Sequence, residues 1–77
     1  MSWLVKACVL IKAVPTKMDN ILRYLQGLPQ VRKAYFVYGR FDIACFIEAG
    51  SPSEVAELTA KINSVEGVRS TETLMEA

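Results

Sequence analysis

An α+β fold with the element order β-α-β-β-α-β is predicted by three features of this 77-residue sequence. Two segments carry apolar residues at steps of three and four, which is typical of helices that bury one face. Four other segments are rich in β-branched and aromatic residues, which favour strands. Right-handed connections then give a ferredoxin-like sandwich, in which both helices cover one face of an antiparallel sheet of order 4-1-3-2.

The first half of the chain is predicted to form strand 1, helix 1 and strand 2. In residues 3–13, every odd-numbered position is apolar, and the even-numbered positions are apolar except for two lysines. This pattern is typical of a strand that is covered on both faces. Pro15 suits the first turn of a helix, whose apolar stripe starts at Met18 and which Gly27 ends. The segment VRKAYFVY, residues 31–38, is predicted as strand 2.

The second half is predicted to form a hairpin, helix 2 and strand 4. Residues 39–41 turn the chain into strand 3, residues 42–49, and so short a connection indicates an antiparallel hairpin. Ser51 and Glu54 have the spacing of a capping box at the start of helix 2. Residues 68–75, VRSTETLM, are predicted as strand 4, the most polar of the four.

Apolar side chains are predicted on both faces of this sheet, although two helices cover only one. Tyr35 and Phe36 are adjacent, so their rings point to opposite faces of strand 2. Phe46 likewise points away from the face that holds Cys45. An uncovered apolar face is an interaction surface, and a chain of this length buries a small core. We therefore expect a homo-oligomer built on two-fold pairing of sheets.

The composition favours one globular domain over residues 1–77. Nine basic and eight acidic residues give a net charge of +1, and the basic residues are dispersed rather than concentrated on one face, as direct nucleic-acid binding requires. No segment has the roughly 18 uninterrupted apolar residues of a membrane helix, and the N-terminus does not have the pattern of a signal peptide. We expect a cytoplasmic protein that contacts neither membrane nor nucleic acid directly.

Catalysis is not expected, because the chain contains no histidine, which is the most common general base. Cys8 and Cys45 fall inside apolar strands and are interpreted as buried free thiols of a reducing compartment. The spacing of potential ligands predicts no metal site, and the common glycine-rich nucleotide motifs do not occur. The sequence therefore predicts a binding protein without a cofactor rather than an enzyme.

Two polar groups are candidate binding sites. The first is the turn made of Gly39, Arg40, Phe41 and Asp42. Its backbone N–H groups suit a carboxylate and its aspartate suits an ammonium, so together they match a free amino acid. In the second group, Thr71 and Thr73 place two hydroxyls on one face of strand 4. From the residues alone, a plain hairpin turn and an ordinary edge strand are the simpler interpretations.

Two segments resemble motifs of the effector-binding (RAM) domain of the Lrp/AsnC family. VYGRFDI is similar to the V-x-G-x-[YF]-D turn of that family, and INSVEGVRSTETL is similar to its I-x-x-[IL]-x-G-V-x-x-T-x-T close. The resemblance runs from Val5 to about Met75. It implies dimers paired through their sheets, assembly of these dimers into rings, and amino-acid effectors bound between neighbouring dimers.

By this resemblance, the turn N–H groups of Arg40 and Phe41 face the effector carboxylate and Asp42 meets its ammonium. The two strand 4 threonines contribute hydroxyls. The family's site positions fall here on Gly39, Arg40, Phe41, Asp42, Thr71 and Thr73. Family members commonly carry an acidic residue where this chain has Arg40. A cation there is expected to change which ligands are tolerated, or to pair with Glu48 or Glu72.

Full-length family members carry an N-terminal helix-turn-helix that binds DNA, whereas this chain begins at strand 1. The resemblance therefore implies a stand-alone form that regulates transcription through a partner, such as a full-length Lrp/AsnC regulator. Three alternatives stay open: a dimeric α/β-barrel enzyme of ferredoxin-like fold, an ACT-like regulatory domain, and a purely structural oligomer. The missing histidine disfavours the first, and the turn and T-x-T motifs disfavour the second.

Overall fold

A computed structural model describes residues 4–76 and contains the predicted elements in the predicted order. The strands form one antiparallel sheet of order β2-β3-β1-β4, which is the predicted 4-1-3-2 order viewed from the other edge. The ferredoxin-like fold is thus confirmed. The elements are β1 (Val5–Ala13), α1 (Met18–Gln26), β2 (Val31–Phe36), β3 (Ile43–Ala49), α2 (Pro52–Asn63) and β4 (Val68–Met75). No helix within these residues is long and apolar enough to cross a membrane.

The hairpin connection is longer than predicted. β2 ends at Phe36 and β3 begins at Ile43, so residues 37–42 connect them instead of 39–41. Asp42, predicted as the first residue of strand 3, lies just before β3, although its N–H still donates to the carbonyl of Ile11 in β1 at 2.8 Å. A smaller difference precedes α1, where residues 15–17 form a short 3-10 turn. Residue 3, predicted to open strand 1, lies outside the described residues.

The start of α2 follows the predicted capping motif. The Ser51 hydroxyl accepts a hydrogen bond from the Glu54 N–H at 3.2 Å. The Glu54 carboxylate reaches back to the Gly50 N–H at 3.1 Å, one residue before the position expected for a capping box. Pro52 occupies the first helical position, where its missing N–H costs no hydrogen bond. These contacts fix where α2 begins relative to the sheet.

The core lies between the two helices and one face of the sheet. Cross-strand pairing places Val9 beside Cys45 and Ile11 beside Ile43 on that face, and all four side chains are fully buried. The helices contribute a second layer of buried residues, Ile21, Leu25, Val55, Leu58 and Ile62. Helix α1 packs over β2 and β3, and α2 packs over β4, β1 and β3.

Neither helix covers the opposite face of the sheet, which we call the open face. It carries Lys6, Cys8, Leu10, Lys33, Tyr35, Ala44, Phe46, Glu48, Glu72 and Leu74. Leu74 is 52% exposed and Tyr35 is 41% exposed, so the predicted apolar second face is present. Cys45 is buried as predicted, but Cys8 is only partly buried, because its side chain lies on the open face.

Candidate functional site

The turn between β2 and β3 is anchored to the end of β1. The Asp42 N–H donates to the Ile11 carbonyl at 2.8 Å, and Asp42 Oδ2 accepts a hydrogen bond from the Ala13 N–H at 2.9 Å. Ala13 is buried, and a buried N–H group is costly to leave unpaired. Asp42 therefore has a structural role that the sequence did not predict. Its second oxygen, Oδ1, accepts no hydrogen bond from residues 4–76.

The turn presents two free backbone donors. Gly39 has φ +114°, a conformation that favours glycine, and no atom lies within 4 Å of where a Cβ would stand. Backbone conformation, rather than crowding, therefore selects glycine here. The N–H groups of the next two residues, Arg40 and Phe41, donate to no acceptor in the described part of the chain. Consecutive free N–H groups of this kind bind anions.

Arg40 is exposed, and its side chain forms no salt bridge with any described residue. The expected pairing with Glu48 is wrong, because Arg32 Nε lies 2.9 Å from Glu48 Oε1 instead. An irregularity in the β2–β3 pairing between Val31 and Lys33 accompanies this contact. Lys12 Nζ lies 3.5 Å from the Arg40 carbonyl, so a second cation stands beside the turn.

The two predicted threonines lie on the helix side of β4 and face α2. Thr71 donates a hydrogen bond to Asn63 Oδ1 at 3.2 Å. Thr73 Oγ1 lies 3.5 Å from Thr59 Oγ1. Sequence reasoning missed Thr59 and Asn63, although their i, i+4 spacing places them on one side of the helix. Tertiary packing decides which side of α2 contacts β4. The local sequence therefore gave no signal for Thr59 and Asn63.

A groove of about 440 Å³ runs between α2 and β4, and we call it the α2–β4 groove. Thr73 and Thr59 lie on it with apolar neighbours from both elements. A second depression of about 440 Å³ lies on the open face, where Phe46 and Leu74 form part of its apolar lining. Residues 39–42 line neither of these two spaces. Of the predicted site residues, Thr73 alone therefore lines one of these two spaces.

Strand β1 separates the two candidate groups within one chain. The Asp42 N–H bonds Ile11 from the β3 side, whereas Thr71 pairs with Ile11 from the β4 side. Because neighbouring strands lie about 4.8 Å apart, the two groups are separated by roughly 10 Å. The fully buried Ile11 side chain lies on the helix side between them. One chain therefore does not gather the turn and the threonines around a common space.

Neither cysteine has the environment of a nucleophile. Burial raises the pKa of Cys45 to about 12, and the nearby Cys8 thiol contributes to the increase. Partial burial also raises the pKa of Cys8, although a backbone hydrogen bond with Cys45 opposes the increase. Both thiols are therefore protonated near neutral pH, and the protonated thiol is the unreactive form.

This chain is similar in sequence and fold to several known proteins. The family model described as the Lrp/AsnC ligand binding domain matches residues 6–76. TTHA0845 from Thermus thermophilus is 30% identical, with a TM-score of 0.91 over 95% of this chain and 92% of that chain. AsnC from E. coli is 26% identical, with a TM-score of 0.85 over 94% of this chain and 50% of that chain.

A more distant structure shares the fold alone. It is the transcriptional regulator NMB0573 from Neisseria meningitidis, solved in complex with L-Met. It is 10% identical, with a TM-score of 0.87 over 95% of this chain and 49% of that chain. A comparison with curated proteins gives no match.

Proposed function

We propose that this chain, which belongs to the family of Lrp/AsnC ligand-binding domains, is a non-enzymatic regulatory module that binds a free amino acid. The proposal is supported mainly by the hydrogen-bonding groups that the turn at residues 39–42 leaves unpaired. Two N–H groups without a protein acceptor lie beside a carboxylate that has one oxygen to spare. A free amino acid carries a carboxylate and an ammonium on one carbon, and this pair of charges complements the turn.

The effector binds between two copies of the chain. In one copy, β1 lies between the turn and the threonines, so a compact ligand that touches both groups needs the turn from one copy and β4 from another. Such a head-to-tail contact closes into a ring if the rotation allows it. The open face supplies a separate, two-fold contact, because its exposed apolar residues include Leu74 and Tyr35. Paired sheets therefore form dimers, and the effector joins neighbouring dimers.

A change of assembly is the proposed output of binding. The transcriptional regulator NMB0573, solved in complex with L-Met, has the same fold, which supports an amino-acid ligand for this architecture. We propose that this chain modulates transcription by co-assembling with partner regulators of its family rather than by contacting DNA. Native mass spectrometry of a mixture with AsnC from E. coli tests the partner step. Persistently separate homo-oligomers would count against this step.

Substitution of Asp42 by asparagine is expected to weaken binding strongly while preserving the fold. The asparagine carbonyl still accepts the Ala13 hydrogen bond, but the charge that pairs with the ammonium is lost. Ligand at about 100 times Kd stabilises the folded chain by about 2.7 kcal/mol. A 100-fold loss of affinity reduces that stabilisation to about 0.4 kcal/mol. Thermal melts against the free amino acids measure both values.

Asp42→Ala is the matched control, because it removes both the charge and the acceptor for Ala13. The buried Ala13 N–H is then left unpaired, which costs about 1–3 kcal/mol even without ligand. Asp42→Asn is expected to avoid this cost. Unchanged binding in Asp42→Asn would exclude Asp42 as the ammonium partner. If no amino acid shifts the melt of the wild-type chain, the proposed function is wrong.

A further inference from the structure

The lining of the α2–β4 groove is apolar and uncharged, which bears on the kind of effector side chain that it can bind. Its volume of about 440 Å³ falls within the usual range of small-molecule sites, about 300–1,000 Å³. The apolar walls include Val55, Ala56, Ala60 and Met75. Among residues 4–76, no ionisable side chain lines this groove. A charged group inserted here would therefore lose water without gaining an ionic partner, which is unfavourable.

The hydrogen-bonding groups of the groove are mostly occupied. Thr59 donates its hydroxyl proton to the Val55 carbonyl at 2.8 Å. Asn63 uses both ends of its amide, accepting from Thr71 at 3.2 Å and donating to the Thr59 carbonyl at 3.1 Å. Within the described part of the chain, the Thr73 hydroxyl has only the 3.5 Å contact with Thr59, which is long for a bond between hydroxyls. Thr73 is therefore the group best able to bind a ligand atom at this groove.

We infer that the α2–β4 groove receives the effector's side chain and selects amino acids whose side chains are uncharged and apolar. This inference rests on the proposed function, in which the neighbouring copy's turn holds the carboxylate and ammonium. Thr73 contacts the ligand, whereas Thr71 is a positioning residue that holds α2 in place through Asn63. Each methylene buried along the groove increases affinity by about fourfold.

Calorimetric titration of the full chain with four probes tests this selectivity. L-leucine and L-methionine are expected to bind at least about tenfold more tightly than L-lysine and L-glutamate, since only the latter bring an unpaired charge into the groove. The decisive variant is Ala60→Leu. Ala60 is exposed on the C-terminal half of α2, and leucine is a good helix former, so the fold is retained while the groove is filled.

Ala60→Leu is expected to weaken L-leucine binding by about tenfold or more, since the filled groove no longer buries the ligand's methylenes, and to leave L-alanine binding unchanged. Glu57→Leu is the matched control, because it adds the same side chain to an exposed position of α2 that does not line the groove. It is expected to bind L-leucine as the wild-type chain does.

The outcomes separate the two proposals. If the wild-type chain binds no amino acid, the proposed function is wrong and this inference falls with it. If amino acids bind but L-lysine or L-glutamate binds as tightly as L-leucine, only this inference is overturned. The same holds if Ala60→Leu leaves L-leucine affinity unchanged. If Glu57→Leu weakens L-leucine binding as much as Ala60→Leu does, this inference is also overturned. The loss of affinity would then not come from filling the groove.

Discussion

Leu74→Asp is expected to dissociate the paired sheets and leave a folded monomer. Leu74 is 52% exposed on the open face, opposite Cys8 on the neighbouring strand, so a carboxylate is solvated there in the isolated chain. Between paired sheets the same carboxylate is desolvated without a partner, once in each copy. A loss of about 1.4 kcal/mol for each copy weakens the dimer by about 100-fold. Native mass and sedimentation measure the change.

Phe36→Asp controls for placing an acidic residue on an edge strand. Phe36 is 43% exposed, but it pairs with the core residue Ile43 and therefore lies on the helix side of the sheet. Its replacement is expected to keep the sheet-paired dimer. An unchanged dimer in Leu74→Asp would contradict pairing through the open face. A wild-type chain that is monomeric at working concentration would contradict it more directly.

Gly67→Ala is expected to be the most damaging substitution of a glycine. Gly67 has φ +97°, which costs another residue about 1–2 kcal/mol. An added Cβ would also overlap Lys17 Cβ and approach Lys17 Cγ to 2.7 Å, which adds about 1–3 kcal/mol of overpacking. The Gly67 carbonyl accepts the Val14 N–H at 2.8 Å, so a shift of this backbone disturbs the end of β1. Urea unfolding is expected to show a loss of about 2–5 kcal/mol in the free energy of unfolding.

Two other glycines separate strain from overlap. Gly39→Ala introduces the strain alone, since nothing lies within 4 Å of its Cβ position, and is expected to cost about 1–2 kcal/mol. Gly27→Ala introduces neither, because Gly27 has φ −87° and its Cβ would make an ordinary 3.5 Å contact. Unfolding is compared at one protein concentration, because association shifts apparent stability. If Gly67→Ala lowers the free energy of unfolding by no more than Gly39→Ala does, the overlap with Lys17 does not contribute to the loss of stability.

The sheet and its two faces were predictable because side chains alternate along a strand. The adjacent Cys45 and Phe46 had to point to opposite faces, and the structure places Cys45 in the core and Phe46 on the open face. The helical spacing of three and four residues likewise predicted a buried stripe on α2, where Val55, Leu58 and Ile62 are buried. The ends of the hairpin strands were predicted less accurately, since β2 ends at Phe36 and β3 begins at Ile43, whereas the apolar pattern of the sequence runs on to residue 38.

The contacts around the candidate site were not predictable from local sequence. Asp42 looked like a turn residue, yet its carboxylate also pairs with Ala13, 29 positions away in the chain. Thr59 and Asn63 had no motif to mark them, since their role follows from the packing of α2 against β4. The six site positions were candidates from the residues alone, and the resemblance to a family favoured a binding role over the simpler interpretations. The binding role of those positions stays a prediction.

Mixing two binding-deficient variants tests most directly whether the effector lies between copies. Asp42→Asn subunits keep the threonines, and Thr73→Val subunits keep the turn, so each homo-oligomer is expected to bind amino acids much more weakly than the wild-type chain. After subunit exchange in an equimolar mixture, about a quarter of the head-to-tail interfaces pair an intact turn with an intact Thr73. Calorimetry is therefore expected to recover binding at about a quarter of the wild-type sites. Complete exchange, verified by native mass, with no recovered binding would contradict a site shared between copies.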